Sequence, residues 1–125
     1  MNGSLKCLII EDDSTIVYII KTELSNYGFD VLDIHVENAN QMKKAMREQK
    51  FDVIISDHDM PSFSSLDALL IRNIICKKTP FLIFTNYIPE NIKVLAIENG
   101  CNMVMGKEDV LLLPGVIEKL TCKMV

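Results

Sequence analysis

The sequence predicts an α/β fold in which helices cover both faces of a parallel β-sheet. Five short apolar runs alternate with longer stretches of helical periodicity. Several of the runs are continuously apolar and rich in β-branched residues, as in Leu8-Ile9-Ile10 and Val53-Ile54-Ile55. Such runs are typical of strands that are buried on both faces of a parallel sheet. The chain has 125 residues, 49% of them apolar, which suits one domain with a packed core.

The predicted strands are the apolar runs themselves, at residues 5–10, 29–36, 53–56, 81–85 and 103–105. The predicted helices lie at residues 14–27, 38–49, 64–74 (opened by Ser64 or Ser65) and 89–99, with a last one from Pro114 after a short turn at 110–113. Asp13 or Ser14 can cap the first helix, and Gly28 ends it. Because no repeat, linker or low-complexity segment divides the chain, we expect residues 1–125 to form a single domain.

Five β-α units in series favour an open, doubly wound sheet with right-handed crossovers. The simplest order for five parallel strands is 2-1-3-4-5, the flavodoxin-like (βα)5 arrangement. Sheets of this kind bind ligands outside the carboxyl ends of the strands, at the point where the strand order reverses. Strands 1 and 3 flank that point, so we expect the functional residues there.

Acidic segments follow both of these strands, Glu11-Asp12-Asp13 after strand 1 and Asp57-His58-Asp59 after strand 3. Strand 4 ends in Thr85, and strand 5 leads into Lys107. Two carboxylates about 5 Å apart repel by roughly 3 kcal/mol at an effective dielectric constant of about 20. A cluster of carboxylates therefore requires a bound cation or raised carboxyl pKa values. Oxygen ligands with room for water and phosphate favour Mg²⁺ or Mn²⁺ over zinc. A carboxylate beside that cation is a competent nucleophile toward phosphorus.

Over nearly its full length the chain resembles the receiver domain of two-component response regulators. The matching segments are Leu8-Ile9-Ile10-Glu11-Asp12-Asp13, Asp57-His58-Asp59-Met60-Pro61, Thr85 and Lys107. They correspond to the family's acidic pair, its acceptor aspartate with Met-Pro after two variable residues, its Thr or Ser, and its lysine. All of these elements occur in order and at strand ends, which makes the match highly specific. Residues 61–69, 107–109 and 113–114 also look like receivers that stand N-terminal in sensory or hybrid signalling proteins.

The resemblance implies a role for each matched residue. Asp57 is the expected phosphoacceptor, and Thr85 and Lys107 are expected to contact the phosphoryl group. Thr85 is also expected to move on phosphorylation, with Val104 at the second switch position. The expected cofactor is Mg²⁺ (or Mn²⁺), and its expected ligands are Glu11, Asp12, Asp57 and the backbone carbonyl of Asp59.

The implied function is phosphorylation of Asp57 by a histidine kinase or phosphotransfer protein, which switches an interaction surface around helix 4, strand 5 and helix 5. A fused or separate output domain is the other expected partner. Such a domain is a signalling phosphoacceptor and not an enzyme, since it catalyses only its own phosphoryl transfer and dephosphorylation.

The sequence departs from the family's pattern at three positions. Asn86 follows the threonine where a small residue is usual, and this bulkier polar side chain can slow phosphotransfer or alter the movement of Thr85. Val104 stands where an aromatic switch residue is common. Glu108 follows Lys107 where proline is frequent.

Three alternatives share parts of this pattern. A pseudo-receiver that binds partners without phosphorylation is supported by Asn86 and Val104 and opposed by the intact acids and lysine. A haloacid-dehalogenase-type phosphatase has an Asp-x-Asp motif like residues 57–59, but near its first strand and with a cap. A flavodoxin needs a Ser/Thr/Gly-rich phosphate loop after strand 1, where this chain has acids.

Composition argues against other classes of function. A net charge of -4 with scattered Lys and Arg does not suit nucleic acid binding. The four cysteines lack the CxxC spacing of zinc or redox sites, and we expect Cys7 and Cys101 to be small buried side chains. The apolar runs are far shorter than the roughly 18 residues of a membrane span, and no signal peptide is evident, so we expect a cytoplasmic protein without a membrane partner.

Overall fold

The computed structural model describes residues 4–123 as a five-stranded parallel sheet flanked by helices. The strand order is β2-β1-β3-β4-β5, which confirms the predicted doubly wound topology. The first three and last two residues of the predicted domain lie outside the described residues. The strands are β1 (Ser4–Ile10), β2 (Asp30–Val36), β3 (Val53–Ser56), β4 (Phe81–Thr85) and β5 (Met103–Gly106).

Within residues 4–123, five α-helices connect and follow the strands: α1 (Ser14–Tyr27), α2 (Ala39–Glu48), α3 (Ser65–Ile75), α4 (Glu90–Glu98) and α5 (Leu113–Thr121). Asp13 caps α1 by accepting the backbone N–H of Thr15, and Ser64 caps α3 in a reciprocal capping box with Asp67. Gly28 ends α1 with φ 120°, a conformation that favours glycine. No helix within residues 4–123 is long and apolar enough to cross a membrane.

The segment between β5 and α5 differs from the predicted short turn. Residues Lys107–Leu112 form a 3-10 helix, and α5 begins at Leu113, one residue before Pro114. The backbone N–H of Leu113 bonds to the carbonyl of Val110, which continues the tight winding into α5. Because Leu113 is fully buried, its packing holds the start of α5 against the sheet.

The core has two layers, one on each face of the sheet. Alternate residues of β1 supply both layers, since successive strand side chains point to opposite faces. Leu8 and Ile10 pack with buried residues of α2 and α3. Cys7 and Ile9 pack with buried residues of α1 and α5. The outer strand β2 buries only Val36, because it has a neighbouring strand on one side alone. The expected burial of Cys7 and Cys101 is confirmed.

At the amino ends of the strands, Arg72 of α3 joins three parts of the chain. Its side chain is only 4% exposed. Nε donates to the carbonyl of Thr79 at 2.7 Å, and Nη2 donates to the carbonyl of Gly100 at 3.2 Å and to Oδ1 of Asn102 at 3.1 Å. Nη1 donates to Oδ1 of Asn73 at 2.6 Å. These bonds tie α3 to the segments that precede β4 and β5.

Candidate functional site

A cavity of about 180 Å³ opens at the carboxyl ends of the strands; we call it the acidic cavity. Its position is where the strand order reverses, between β1 and β3, as the sequence predicts. Parallel strands end at the same edge of the sheet, so side chains that are distant in sequence meet there. The cavity is lined by Glu11, Asp12, Asp13, Asp57, Asp59, Asn86 and Lys107.

Asp57 lies at the buried side of the acidic cavity and is 6% exposed. Its backbone N–H donates to the carbonyl of Ile10 at 2.9 Å, which fixes the residue beside the end of β1. Oδ2 lies 3.6 Å from Nζ of Lys107. Oδ1 is buried and has no hydrogen-bond partner within residues 4–123. A buried acceptor without a partner is costly, so this oxygen is available to a ligand.

Glu11 lies beside Asp57 and is 3% exposed. Its Oε1 pairs with Nζ of Lys107 at 2.8 Å, and Oε2 accepts the backbone N–H groups of Asp12 and Asp13 at 3.2 and 3.3 Å. Burial raises the pKa of Glu11, and the hydrogen bond from Lys107 opposes that rise. Lys107 therefore neutralises part of the charge that the carboxylates bring together.

The neighbouring edge strand holds the backbone of Glu11 in place. The backbone N–H of Glu11 donates to the carbonyl of Val36 at 3.1 Å, and Nε2 of His35 donates to the carbonyl of Glu11. The last two residues of β2 thus orient the turn that carries the acidic pair.

The acidic cavity fits a divalent cation. Carboxylate oxygens of Glu11, Asp12 and Asp57 lie within 4.8 Å of one another, and Asp12 is exposed to solvent. Together with the unpartnered Oδ1 of Asp57, they form the kind of oxygen ligand set that Mg²⁺ and Mn²⁺ prefer. Asp59 lines the same cavity, and the role of its backbone carbonyl stays a prediction.

Thr85 and Val104 line a second cavity of about 260 Å³, next to the first; we call it the switch cavity. Thr85 is 2% exposed, and its hydroxyl donates to the carbonyl of Tyr87 at 3.2 Å. It is not among the described residues that line the acidic cavity. Asn86 lines both cavities. The structure therefore brings the predicted acids and Lys107 together but places Thr85 in the wall of the neighbouring cavity.

Asp13 is the one lining residue for which the sequence predicted only a structural role. It caps α1 as predicted, and it also adds a carboxylate to the wall of the acidic cavity. Its place directly after the acidic pair is the signal from which the second role could have been predicted.

Comparison with known proteins gives the family. The sequence pattern of the response regulator receiver domain matches residues 7–111. The autoinducer 2 sensor kinase/phosphatase LuxQ of Vibrio vulnificus is 29% identical over 104 residues, which cover 82% of this chain and 12% of LuxQ. The probable chemotaxis protein CheY of Rhizobium etli is 29% identical over 118 residues, which cover 93% of this chain and 86% of that protein. The larger relatives are matched over only 12% to 19% of their length.

Solved structures share the fold. The receiver domain of the sensor histidine kinase PA1611 of Pseudomonas aeruginosa, with a magnesium ion coordinated in its active-site cleft, superposes with a TM-score of 0.80 at 16% identity. The match covers 96% of this chain and 99% of that one. The strand order, the strand-end acids and the match across residues 7–111 agree, and the chain belongs to the response regulator receiver domain family of two-component signalling.

Proposed function

We propose that this chain is the phosphoacceptor domain of a two-component or phosphorelay system and that Asp57 accepts the phosphoryl group. The observation that carries the proposal is the environment of the Asp57 carboxylate, namely its burial and the partners of its two oxygens. It is buried, Oδ1 has no partner among the described residues, and Oδ2 faces Lys107 at 3.6 Å. A nucleophile needs such free lone pairs beside a cation that stabilises the transferring group.

Mg²⁺ (or Mn²⁺) is the proposed cofactor, held by Glu11, Asp12, Asp57 and the backbone carbonyl of Asp59. The clustering of the three carboxylates supports this, as does the magnesium ion in the cleft of the PA1611 receiver. When bound, the cation neutralises charge on the phosphoryl oxygens.

In the proposed reaction a carboxylate oxygen of Asp57 attacks the phosphorus of a phosphohistidine on a kinase or phosphotransfer protein. A P–O bond forms, the P–N bond breaks, and the histidine nitrogen keeps the electron pair. Lys107 lies close enough to pair with a phosphoryl oxygen by turning from Glu11. Thr85 reaches the phosphoryl group once its hydroxyl leaves the carbonyl of Tyr87.

That movement of Thr85 is the proposed switch. Thr85 and Val104 line one cavity beside α4 and β5, so a displaced threonine changes packing there. Exposed apolar side chains of α4 and β5, at Val94, Ile97 and Met103, suit a protein partner. We propose that a fused or separate output domain binds this surface, and that the domain catalyses nothing beyond its own phosphorylation and dephosphorylation.

We further propose that residues 1–125 form one receiver domain that works in the cytoplasm, of the kind found in sensory or hybrid signalling proteins. The similarity to LuxQ, a sensor kinase/phosphatase, supports the subfamily. The four cysteines, all in the described part of the chain, are free, which suits a reducing compartment.

A phosphorylation-independent pseudo-receiver is the second candidate. The ion pair of Lys107 with Glu11 occupies one oxygen of a proposed metal ligand, and two backbone N–H groups occupy the other. Thr85 is not among the described residues that line the acidic cavity, and its hydroxyl donates to the carbonyl of Tyr87. Both features suit a domain that keeps the fold without the reaction.

Intact-mass measurement separates the two candidates. The parent and Asp57→Asn are incubated with phosphoramidate or acetyl phosphate, with and without Mg²⁺. We expect the parent to gain one phosphoryl group only with Mg²⁺, and Asp57→Asn to gain none. If the parent gains no mass, the pseudo-receiver is the better description, and equal labelling of Asp57→Asn would refute the acceptor assignment.

A further inference from the structure

We propose that Asn86 is a catalytic residue whose side-chain amide donates a hydrogen bond to an oxygen of the incoming phosphoryl group; this rests on the proposed phosphorylation of Asp57. The residue is placed for that role by the loop after β4. It lines the acidic cavity together with Asp57 and Lys107.

The hydroxyl of Thr85, the neutral donor expected to contact the phosphoryl group, is already used in a hydrogen bond within the chain. The hydroxyl of Thr85 donates to the carbonyl of Tyr87 at 3.2 Å, and the side chain is 98% buried within β4 and the wall of the switch cavity. To reach a phosphoryl group, the hydroxyl must first break that bond. It therefore contacts the phosphoryl group only after this bond is broken.

The side-chain amide of Asn86, by contrast, is free to donate a hydrogen bond. Its side chain is exposed and has no hydrogen-bond partner in the described part of the chain, although it lines the same cavity as the acceptor. Its neighbours Thr85 and Tyr87 are bound to each other through hydroxyl and carbonyl, which steadies the loop that carries it.

The chemistry of the acidic cavity favours an amide donor. The cavity contains several carboxylates and one lysine, whose Nζ is shared between Glu11 at 2.8 Å and Asp57 at 3.6 Å. An amide N–H stabilises phosphoryl oxygens without adding or removing charge. Asn86 also lines the switch cavity, so it lies between the acceptor site and the cavity that contains Thr85 and Val104.

The test compares four proteins by the rate of mass gain from acetyl phosphate with Mg²⁺: the parent, Asn86→Ala, Asn86→Leu and Asn91→Ala. Asn91 is an exposed asparagine of α4 outside both cavities and serves as the matched control. Leucine keeps the bulk of asparagine but has no donor. Removing one donor to the transferring group from a solvent-open site is expected to slow phosphorylation about tenfold in both Asn86 variants. Asn91→Ala is expected to match the parent.

A second readout is binding of beryllofluoride, a phosphoryl analogue, followed by the side-chain amide resonances in NMR spectra. With Mg²⁺ we expect the Asn86 amide pair to shift and both Asn86 variants to bind about tenfold more weakly. If Asn86→Leu matches the parent while Asn86→Ala does not, the side chain acts through bulk and the inference is wrong. If both variants are phosphorylated as fast as Asn91→Ala or faster while the parent is phosphorylated, the inference alone fails. A parent that gains no mass instead refutes the proposed function.

Discussion

The two ends of the sheet bury charge in opposite ways. At the amino ends, Arg72 makes hydrogen bonds from all three guanidinium nitrogens to oxygens of Asn73, Thr79, Gly100 and Asn102. At the carboxyl ends, three acids converge, and Oδ1 of Asp57 has no partner among the described residues. Burial lowers the pKa of Arg72 and raises that of Glu11, so in both regions burial disfavours the charged form of the side chain.

The two regions differ in which groups compensate the buried charge. The oxygens around Arg72 belong to the chain itself, which makes that region a clamp between α3 and the amino ends of β4 and β5. The acids around Asp57 are only partly compensated by Lys107. A region satisfied by the chain contributes to stability, whereas a region left incomplete is suited to a ligand.

The largest expected effect on stability concerns the clamp. Arg72→Met removes donors from several oxygens at once and should lower the free energy of unfolding by about 3 kcal/mol. The Mg²⁺-dependent rate of phosphorylation should change less than twofold. Urea unfolding and intact-mass kinetics measure the two. Arg47→Met, at an exposed position of α2, is the matched control. Equal stability of the two variants would refute the clamp.

The next largest effect is the stabilisation expected when a cation binds in the acidic cavity. Mg²⁺ at about 100 times its dissociation constant should raise the free energy of unfolding of the parent by about 2.7 kcal/mol. For Asp12→Asn, if affinity falls about tenfold, the gain at the same concentration should be about 1.4 kcal/mol. Asp109→Asn, at an exposed position of the 3-10 helix, should behave as the parent. Stabilisation of Asp12→Asn equal to that of the parent would remove Asp12 from the ligand set.

The smallest effect is expected for Asp57→Asn without metal. The Asp57 carboxylate repels Glu11 and contributes to the raised pKa of that residue. Losing this charge should therefore raise the free energy of unfolding by about 1 kcal/mol. Urea unfolding in EDTA measures it. A lower stability of the variant would mean that the Lys107–Asp57 pair, at 3.6 Å, outweighs the repulsion.

The contrast between these regions also separates what the sequence could predict from what it could not. The acids and Lys107 were predicted because they follow strands, and parallel strands end at one edge whatever the details of packing. Arg72 gave no such signal, since an arginine in a helical stretch is usually solvated. Its partners Gly100 and Asn102 lie 28 and 30 residues away, and only the packed chain brings them to its guanidinium.

By itself the sequence determined the number of strands, their order and the convergence of the strand-end acids and Lys107 at one edge of the sheet. Apolar periodicity and strand ends depend on local residue pattern and on the general chirality of β-α units. The tertiary structure decided the partners of flexible side chains: the Thr85 hydroxyl bonds to Tyr87, and Lys107 lies closer to Glu11 than to Asp57. It also decided the 3-10 helix that leads into α5. Those choices depend on which partner lies within about 3 Å after packing, a distance that no sequence pattern encodes.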